Sequence, residues 1–450
     1  MKFPRLLAAF LPLFSAALWA AEPGNNIVTP EALFPQLDTI LKQAVTQSPR
    51  MVAKAVDDEI AENDRIQAHA ALLPSVSGYY RFTESSDKRA DLADRATVEK
   101  QNYDFKIEQP IFHWGERKNT ARMGEIRAAI VHGDVREGYR MLAQEIRGQY
   151  LHLIVSKLRV KRASFYSEYA VSQAKQGEER LAAKTISAAQ IFTIRVEAER
   201  AQIADERARF DFENDKVAFS RLTGQPVLRD EDIPDLIPAF TPQPERLKQL
   251  LAGYLSQKEN PSHEATSLRR SMEVEKLNLA NAKTRLRPKV NVIAGISEDQ
   301  QAYTVNVASK YQVQSAYAGV SVNWTLFDGF AAGAAERSAY VRVRQQENDY
   351  RQLTDRLATQ AQSQLRLAEF SVRYSAINDR FLESSAGGLK SKQEEFSRGV
   401  ASKEDVSLMQ VNAYDNEINA LASRADYYAQ VGEFLGTVVE DPVLANLKNQ

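Results

Sequence analysis

The 450-residue chain contains no cysteine. That excludes disulfides, thiolate metal sites, a cysteine nucleophile and a lipid attached through an N-terminal cysteine. Long apolar runs are nearly missing too. The one near the start, Leu6 to Trp19, is shorter than the ~20 residues a membrane-spanning helix needs. It follows Lys2 and Arg5 and ends on Ala20 and Ala21, so residues 1–21 read as a secretory signal peptide. Net charge is equally scarce: it is −1, and loss of Lys2 and Arg5 takes it to −3. Neither value provides the strongly basic face of a nucleic-acid binder.

Catalytic and cofactor motifs are lacking as well. The five histidines (His69, His113, His132, His152 and His263) have no metal-ligand spacing. There is no phosphate loop and no nucleophile elbow, so the chain does not read as an enzyme and carries no energy source of its own. His113 beside Trp114 is expected at a membrane interface. The basic stretch Lys157 to Arg162 is expected to be a solvated helix face.

Proline is present, but in telling places. None lies between Pro110 and Pro226 or between Pro288 and Pro442. Because proline inside a helix costs ~3 kcal/mol, these gaps are where long helices can run. Apolar residues recur there at three and four: Ile126, Ile130, Leu142, Ile146, Tyr150 and Leu153, then Tyr350, Leu353, Leu357, Ala361 and Leu365. That spacing predicts coiled-coil helices. Gly387-Gly388 marks a candidate bend in the second.

The landmarks are duplicated. Ser48-Pro49 and Asn260-Pro261 each place a capping side chain before a proline at the first helical position. Pro74 matches Pro288, Ile111-Phe112 matches Leu326-Phe327, Ser187 with Ile191 matches Ser402 with Val406, and Leu222-Thr223-Gly224 matches Phe434-Leu435-Gly436. Offsets run from 212 to 215, a register that shared coiled-coil composition does not explain. The expected division is a first repeat over 22–224, a linker over 225–260, a second repeat over 261–438 and a tail over 439–450. In each repeat one long helix (about 116–180 and 332–396, ~98 Å) is matched by two shorter ones end to end, about 49–72 with 187–222 and 262–286 with 402–437.

Between the helices the period changes to two. Val76, Tyr80 and Phe82 share one face, with Ser75, Ser77, Arg81 and Thr83 on the other. Strands are expected at about 73–84, 103–112, 287–297 and 314–325, long enough for tilted transmembrane strands. The connections at about 85–102 and 298–312 read as polar loops. Four strands cannot close a barrel, and open edges in hydrocarbon cost several kcal/mol per unpaired group. Two copies would give eight strands and a filled interior, whereas three give twelve and room for a pore.

The chain resembles the TolC family of outer-membrane efflux and secretion channels, over about Leu37 to Val438. The resemblance is carried by Pro74, by Gln109-Pro110-Ile111-Phe112-His113-Trp114-Gly115, by Trp324-Thr325-Leu326-Phe327-Asp328-Gly329-Phe330, and by Gly399-Val400-Ala401-Ser402-Lys403-Glu404-Asp405-Val406. It implies a mainly α fold with membrane β: a homotrimer with a twelve-stranded outer-membrane barrel over a coiled-coil α-helical barrel in the periplasm. An equatorial belt would come from the N-terminal segment, the linker and the tail.

The resemblance further implies a passive exit duct opened at its periplasmic tip by a periplasmic adaptor and an inner-membrane pump of RND or ABC type. Gate candidates are Asp405, Glu404, Gln190 and Leu408; Gln190 and Leu408 stand where a full acidic double ring would need carboxylates. Adaptor-docking candidates are Lys184, Thr185, Ser187, Gly399, Val400 and Ser402. Tyr79, Tyr80, Phe112, Trp114, Trp324 and Phe327 are candidate membrane-interface aromatics, with outer-membrane lipid an expected partner. Two rival readings remain: a periplasmic coiled-coil adaptor, which would need a compact β-rich domain, and a structural coiled-coil protein, which would not need two alternating hairpins.

Overall fold

The computed structural model describes residues 27–88, 95–302 and 310–449. The expected leader, residues 1–21, lies outside them. Two short helices, α1 (Pro30–Leu33) and α2 (Pro35–Gln47), precede the first repeat. That repeat is α3 (Pro49–Ala70), β1 (Ser75–Asp87), β2 (Ala96–Phe112), α4 (Glu116–Ala182) and α5 (Ala188–Thr223). A segment holding α6 (Pro244–Ser256) leads to α7 (His263–Lys283), β3 (Lys289–Ala302), β4 (Lys310–Asn323), α8 (Ala331–Ser397) and α9 (Lys403–Thr437). The two long helices have 67 residues each, so each reaches ~100 Å. Helix α8 runs uninterrupted through Gly387-Gly388.

The helices form a layer. Helix α4 packs on α3 and α5 on one side and on α7 and α9 on the other, and α8 packs on α7 and α9. The stripe read from the sequence is the core: Ile126, Leu142, Ile146, Tyr150 and Leu153 of α4 are buried, as are Leu357, Ala361 and Leu365 of α8. The main cluster sits midway along α4, where Leu37 and Leu41 of α2, Ile233 and Ile237 of the linker, and Phe434 of α9 meet it.

The four strands form one antiparallel sheet in the order β1-β2-β3-β4. They are longer than expected, and each hairpin continues in register into residues anticipated as loop. Backbone pairing does not depend on apolar side chains, and Gln300, Gln312 and Gln314 support it by converging on the Glu298 carboxylate. Pro110 has no N–H to donate, and the β2–β3 register shifts between Pro110 and Phe112, the bulge by which a strand accommodates proline.

The proline caps also differ from expectation. Helix α3 begins at Pro49, but the Ser48 hydroxyl makes no cap bond; it donates to the Leu222 carbonyl, 2.8 Å away and buried. Gly224, at φ +73°, ends α5 so close to Gln47 that a Cβ would sit 2.0 Å from the Gln47 carbonyl oxygen. Helix α7 begins after Pro261, at His263, capped by Ser262; Asn260 accepts from the Ser262 N–H instead.

The Lys157–Arg162 stretch is not merely a solvated face. Lys157 donates to the Asp230 and Ile233 carbonyls, Lys161 pairs with Asp235, and Arg162 pairs with Asp415. Its cations hold the linker and α9 against α4.

Candidate functional site

The sheet has two chemically distinct faces, set by period-two alternation. One carries Val76, Tyr80 and Phe82 of β1, Phe105 and Ile107 of β2, Val292 and Ile296 of β3, and Val320 and Val322 of β4. All nine are exposed in the single chain. The other carries Ser77, Arg81, Asp104, Lys106, Asn291, Ser297, Tyr317 and Ser321, and the pairing Ser77↔Lys106 keeps the faces aligned across strands. Tyr79 and Tyr80 therefore point to opposite sides. Tyr80 is on the apolar face, and Tyr79 is on the polar one under the Arg81 guanidinium at 5.2 Å.

At the foot of the polar face lies a chain of hydrogen bonds. Arg117 donates to His113 Nδ1 (3.3 Å), His113 Nε2 bonds Asn291 Oδ1 (2.7 Å), and Asn291 donates to Glu108 (2.7 Å), which pairs with Lys106. His113 is buried, so it serves this network and not an exposed interfacial girdle. Its neighbour Trp114 stays partly exposed, edge-on to Phe112, and donates its indole N–H to the Pro288 carbonyl at 2.8 Å.

Strand-to-helix turns repeat in conformation, though not in residue type. Trp114-Gly115 and Gly329-Phe330 are both pairs of left-handed residues, 215 apart, with glycine first in one and second in the other. Gln109 donates its side-chain N–H to Leu72, and Trp324, also 215 further on, donates its indole N–H to Leu286. Phe327 is exposed and packs edge-on against Phe330. Sequence comparison missed these equivalences because different side chains deliver the same N–H.

At the opposite end the helices turn back in two tips. Lys184 and Gly399, 215 apart, both adopt positive φ (59° and 75°) and close α4 and α8. The next N–H groups, of Thr185 and Val400, bond Arg180 and Glu395 five residues back, a Schellman-type ending. Ser187 then caps α5 with Gln190 in a reciprocal box, and Ser402 caps α9 with Asp405 in the same way. The gate candidates Gln190 and Asp405 are thus N3 residues of equivalent capping boxes.

The Asp405 carboxylate is held below its ordinary 3.8 by the Ser402 backbone N–H and then by its hydroxyl. Glu404 accepts from the Tyr169 hydroxyl of α4 at 3.3 Å, tying the start of α9 to the side of α4. Burial and Glu404 push that phenol up to about 12. Val400 and Leu408 are exposed.

Among the described residues no acidic or histidine cluster could hold a metal ion, and no helix is long and apolar enough to cross a membrane. The strands are the apolar-faced elements.

The chain matches the Campylobacter jejuni CmeC outer membrane channel with TM-score 0.71 at 12% identity, covering 100% of this chain and 97% of that one. The fold is that of an outer-membrane channel subunit. The outer membrane protein VceC from Vibrio cholerae matches with TM-score 0.64 at 13% identity over 90% of this chain and 96% of that one. The open state of the Neisseria gonorrhoeae MtrE outer membrane channel matches with TM-score 0.64 at 11% identity, over 90% and 89%. No family model and no curated protein matches the sequence. The likeness is one of fold, and it is the fold that the resemblance to the TolC family implies.

Proposed function

We propose that three copies of this chain form a passive exit duct through the outer membrane and the periplasm. One observation carries the reading: a sheet with an apolar and a polar face whose outer strands, β1 and β4, pair with no strand among the described residues. Such edges are untenable in lipid unless other copies complete a barrel. Three copies supply twelve strands, with the apolar faces toward lipid and the polar faces toward the lumen.

The helices support the same assembly. Helix α8 exposes Leu367, Phe370, Tyr374, Ile377 and Phe381, a seam spaced three and four apart and left uncovered by the described residues. The other flank of the layer exposes Val52, Val56 and Ile60 on α3 and Ile203 and Phe210 on α5. Within the chain, α4 packs on α7 and α9; its repeat-mate α8 would pack on α3 and α5 of the next copy. A head-to-tail contact of this kind closes into a ring.

Energy would come from partners: an adaptor docking at the tips around Lys184, Thr185, Ser187, Gly399, Val400 and Ser402, and an inner-membrane pump. Gating is assigned to the second tip, at Asp405 with Glu404 and Leu408. Heat-resistant trimers extracted from outer membranes by detergent, and conductance in planar bilayers, are the expected results. Recovery of the mature chain as a soluble monomer rejects the reading. An Asp405→Ala channel whose conductance has the wild-type pH dependence rejects the gate assignment.

A further inference from the structure

The duplication fixes more than the fold. In the first hairpin Ser75 faces Glu108, and in the second Lys289 faces Asn323. Pro74 maps onto Pro288 by 214 residues, and Phe112 maps onto Phe327 by 215. Moving Ser75 by 214 and Glu108 by 215 gives Lys289 and Asn323. The offsets read from sequence landmarks therefore reproduce the strand register of the second hairpin without adjustment.

The same mapping applies to the pairing between repeats. Strand β2 pairs with β3 so that partner numbers sum to 401, as in Tyr103↔Glu298 and Phe105↔Ile296. Strand β4 is the image of β2, and β1 is the pre-image of β3. Adding 215 to one partner and subtracting 214 from the other raises the sum to 402.

We propose that β4 of one copy pairs with β1 of the next in this register, with Val320 opposite Phe82, Ser321 opposite Arg81 and Val322 opposite Tyr80. The proposal rests on the trimeric reading above and adds its strand register. Chemistry along the seam agrees. Val320, Phe82, Val322 and Tyr80 all lie on the apolar face and are exposed in the single chain. Ser321 and Arg81 both lie on the polar face, as their in-chain partners Asn291 and Asn102 do. A slip of one residue would turn every side chain of one strand to the wrong face. Slips of two keep the faces, and against those the β2–β3 template selects.

The natural absence of cysteine makes the test direct. Val320→Cys is combined in the full-length chain with Phe82→Cys, with Tyr80→Cys or with Glu84→Cys, and membranes are oxidised with copper phenanthroline. Phe105→Cys with Ile296→Cys is the in-chain control for reaction between facing strands. The expected result is covalent trimers from the 82/320 pair, several-fold above the 80/320 and 84/320 pairs.

Should Phe82→Cys impair assembly, Arg81→Cys with Ser321→Cys reports the same register from the polar face, against Tyr79→Cys and Thr83→Cys as slipped controls. Trimers that cross-link best at a slipped pair, or at no pair while the in-chain control reacts, overturn the register and leave the trimer standing. Monomers alone in detergent extracts kept free of denaturant overturn both.

Discussion

The Arg147 guanidinium binds the Asp441 carboxylate through two nitrogens, at 2.9 and 3.0 Å, and so fastens the middle of α4 to a tail 294 residues away. Arg147 and Asp441 are both buried. The other edge of the same guanidinium holds Glu31 of α1, so one arginine joins both ends of the described chain. Despite the cost of its burial, these two carboxylates raise the Arg147 pKa above its usual range. A raised pKa in a cation means its contribution is complete below the unfolded value and is lost only in strong alkali.

Arg147→Met removes the one cation that pairs with these carboxylates among the described residues and leaves Asp441 buried without its ion pair. The expected loss is ~3–5 kcal/mol. Urea unfolding of the variant measures it, and limited proteolysis is expected to cut first in residues 439–449.

Lys184 occupies a left-handed conformation that its repeat-mate supplies with Gly399. A non-glycine residue pays ~1 kcal/mol there. Lys184→Gly is expected to stabilise the first tip by about that amount, and Gly399→Ala to destabilise the second similarly. Amide exchange of Thr185 and Val400, whose N–H groups complete the two turns, reads each tip separately.

The lowered Asp405 pKa gives the second tip an acid limit. A depressed carboxylate contributes stability above its unfolded value and loses it as pH falls through the folded one. Exchange at residues 402–406 is therefore expected to accelerate below about pH 4, while the Gln190 box of the first tip does not respond. Asp405→Asn, which keeps an acceptor, should abolish the dependence.

Adjacent strand residues should differ sharply if the apolar face meets lipid. Ile296→Arg, midway along β3, is expected to cost ~2–4 kcal/mol and to lower the yield of folded trimer, whereas Ser297→Arg on the polar face is tolerated. Folding yields into lipid vesicles, compared side by side, check the pair.

The α8 seam gives a test that spares the protomer. Tyr374 is exposed in the single chain, so Tyr374→Asp is expected to leave helical circular dichroism intact while shifting detergent-solubilised trimers to monomers. An unchanged trimer fraction removes the seam from the interface.

Much of this was legible beforehand because it is local. Proline-free stretches, a 3.6-residue stripe and paired serines located all six repeat helices within a few residues. Alternation located four strands, but Tyr79, grouped with Tyr80 among the membrane-interface candidates, is placed on the opposite face by the structure. The strand ends were not legible. Glu298 and the glutamines around it look like loop, yet they pair because backbone hydrogen bonding is indifferent to side-chain polarity.

The equivalence of Gln109 and Trp324, or of Trp114-Gly115 and Gly329-Phe330, was hidden for a related reason. The fold requires an N–H at one place and a positive φ at another, and several residues can supply either. The roles of Ser48 and of the Lys157–Arg162 cations were equally out of reach. Their partners, Leu222, the linker and Asp415, lie from 73 to 253 residues off and are chosen by packing.

By itself the sequence determined the duplication, the element order and the two faces of the sheet, since each follows from spacing along the chain. Only the tertiary structure decided the strand register, the buried Arg147 junction and the fate of His113. Those depend on which distant backbone comes within ~3 Å, and linear spacing does not encode that distance.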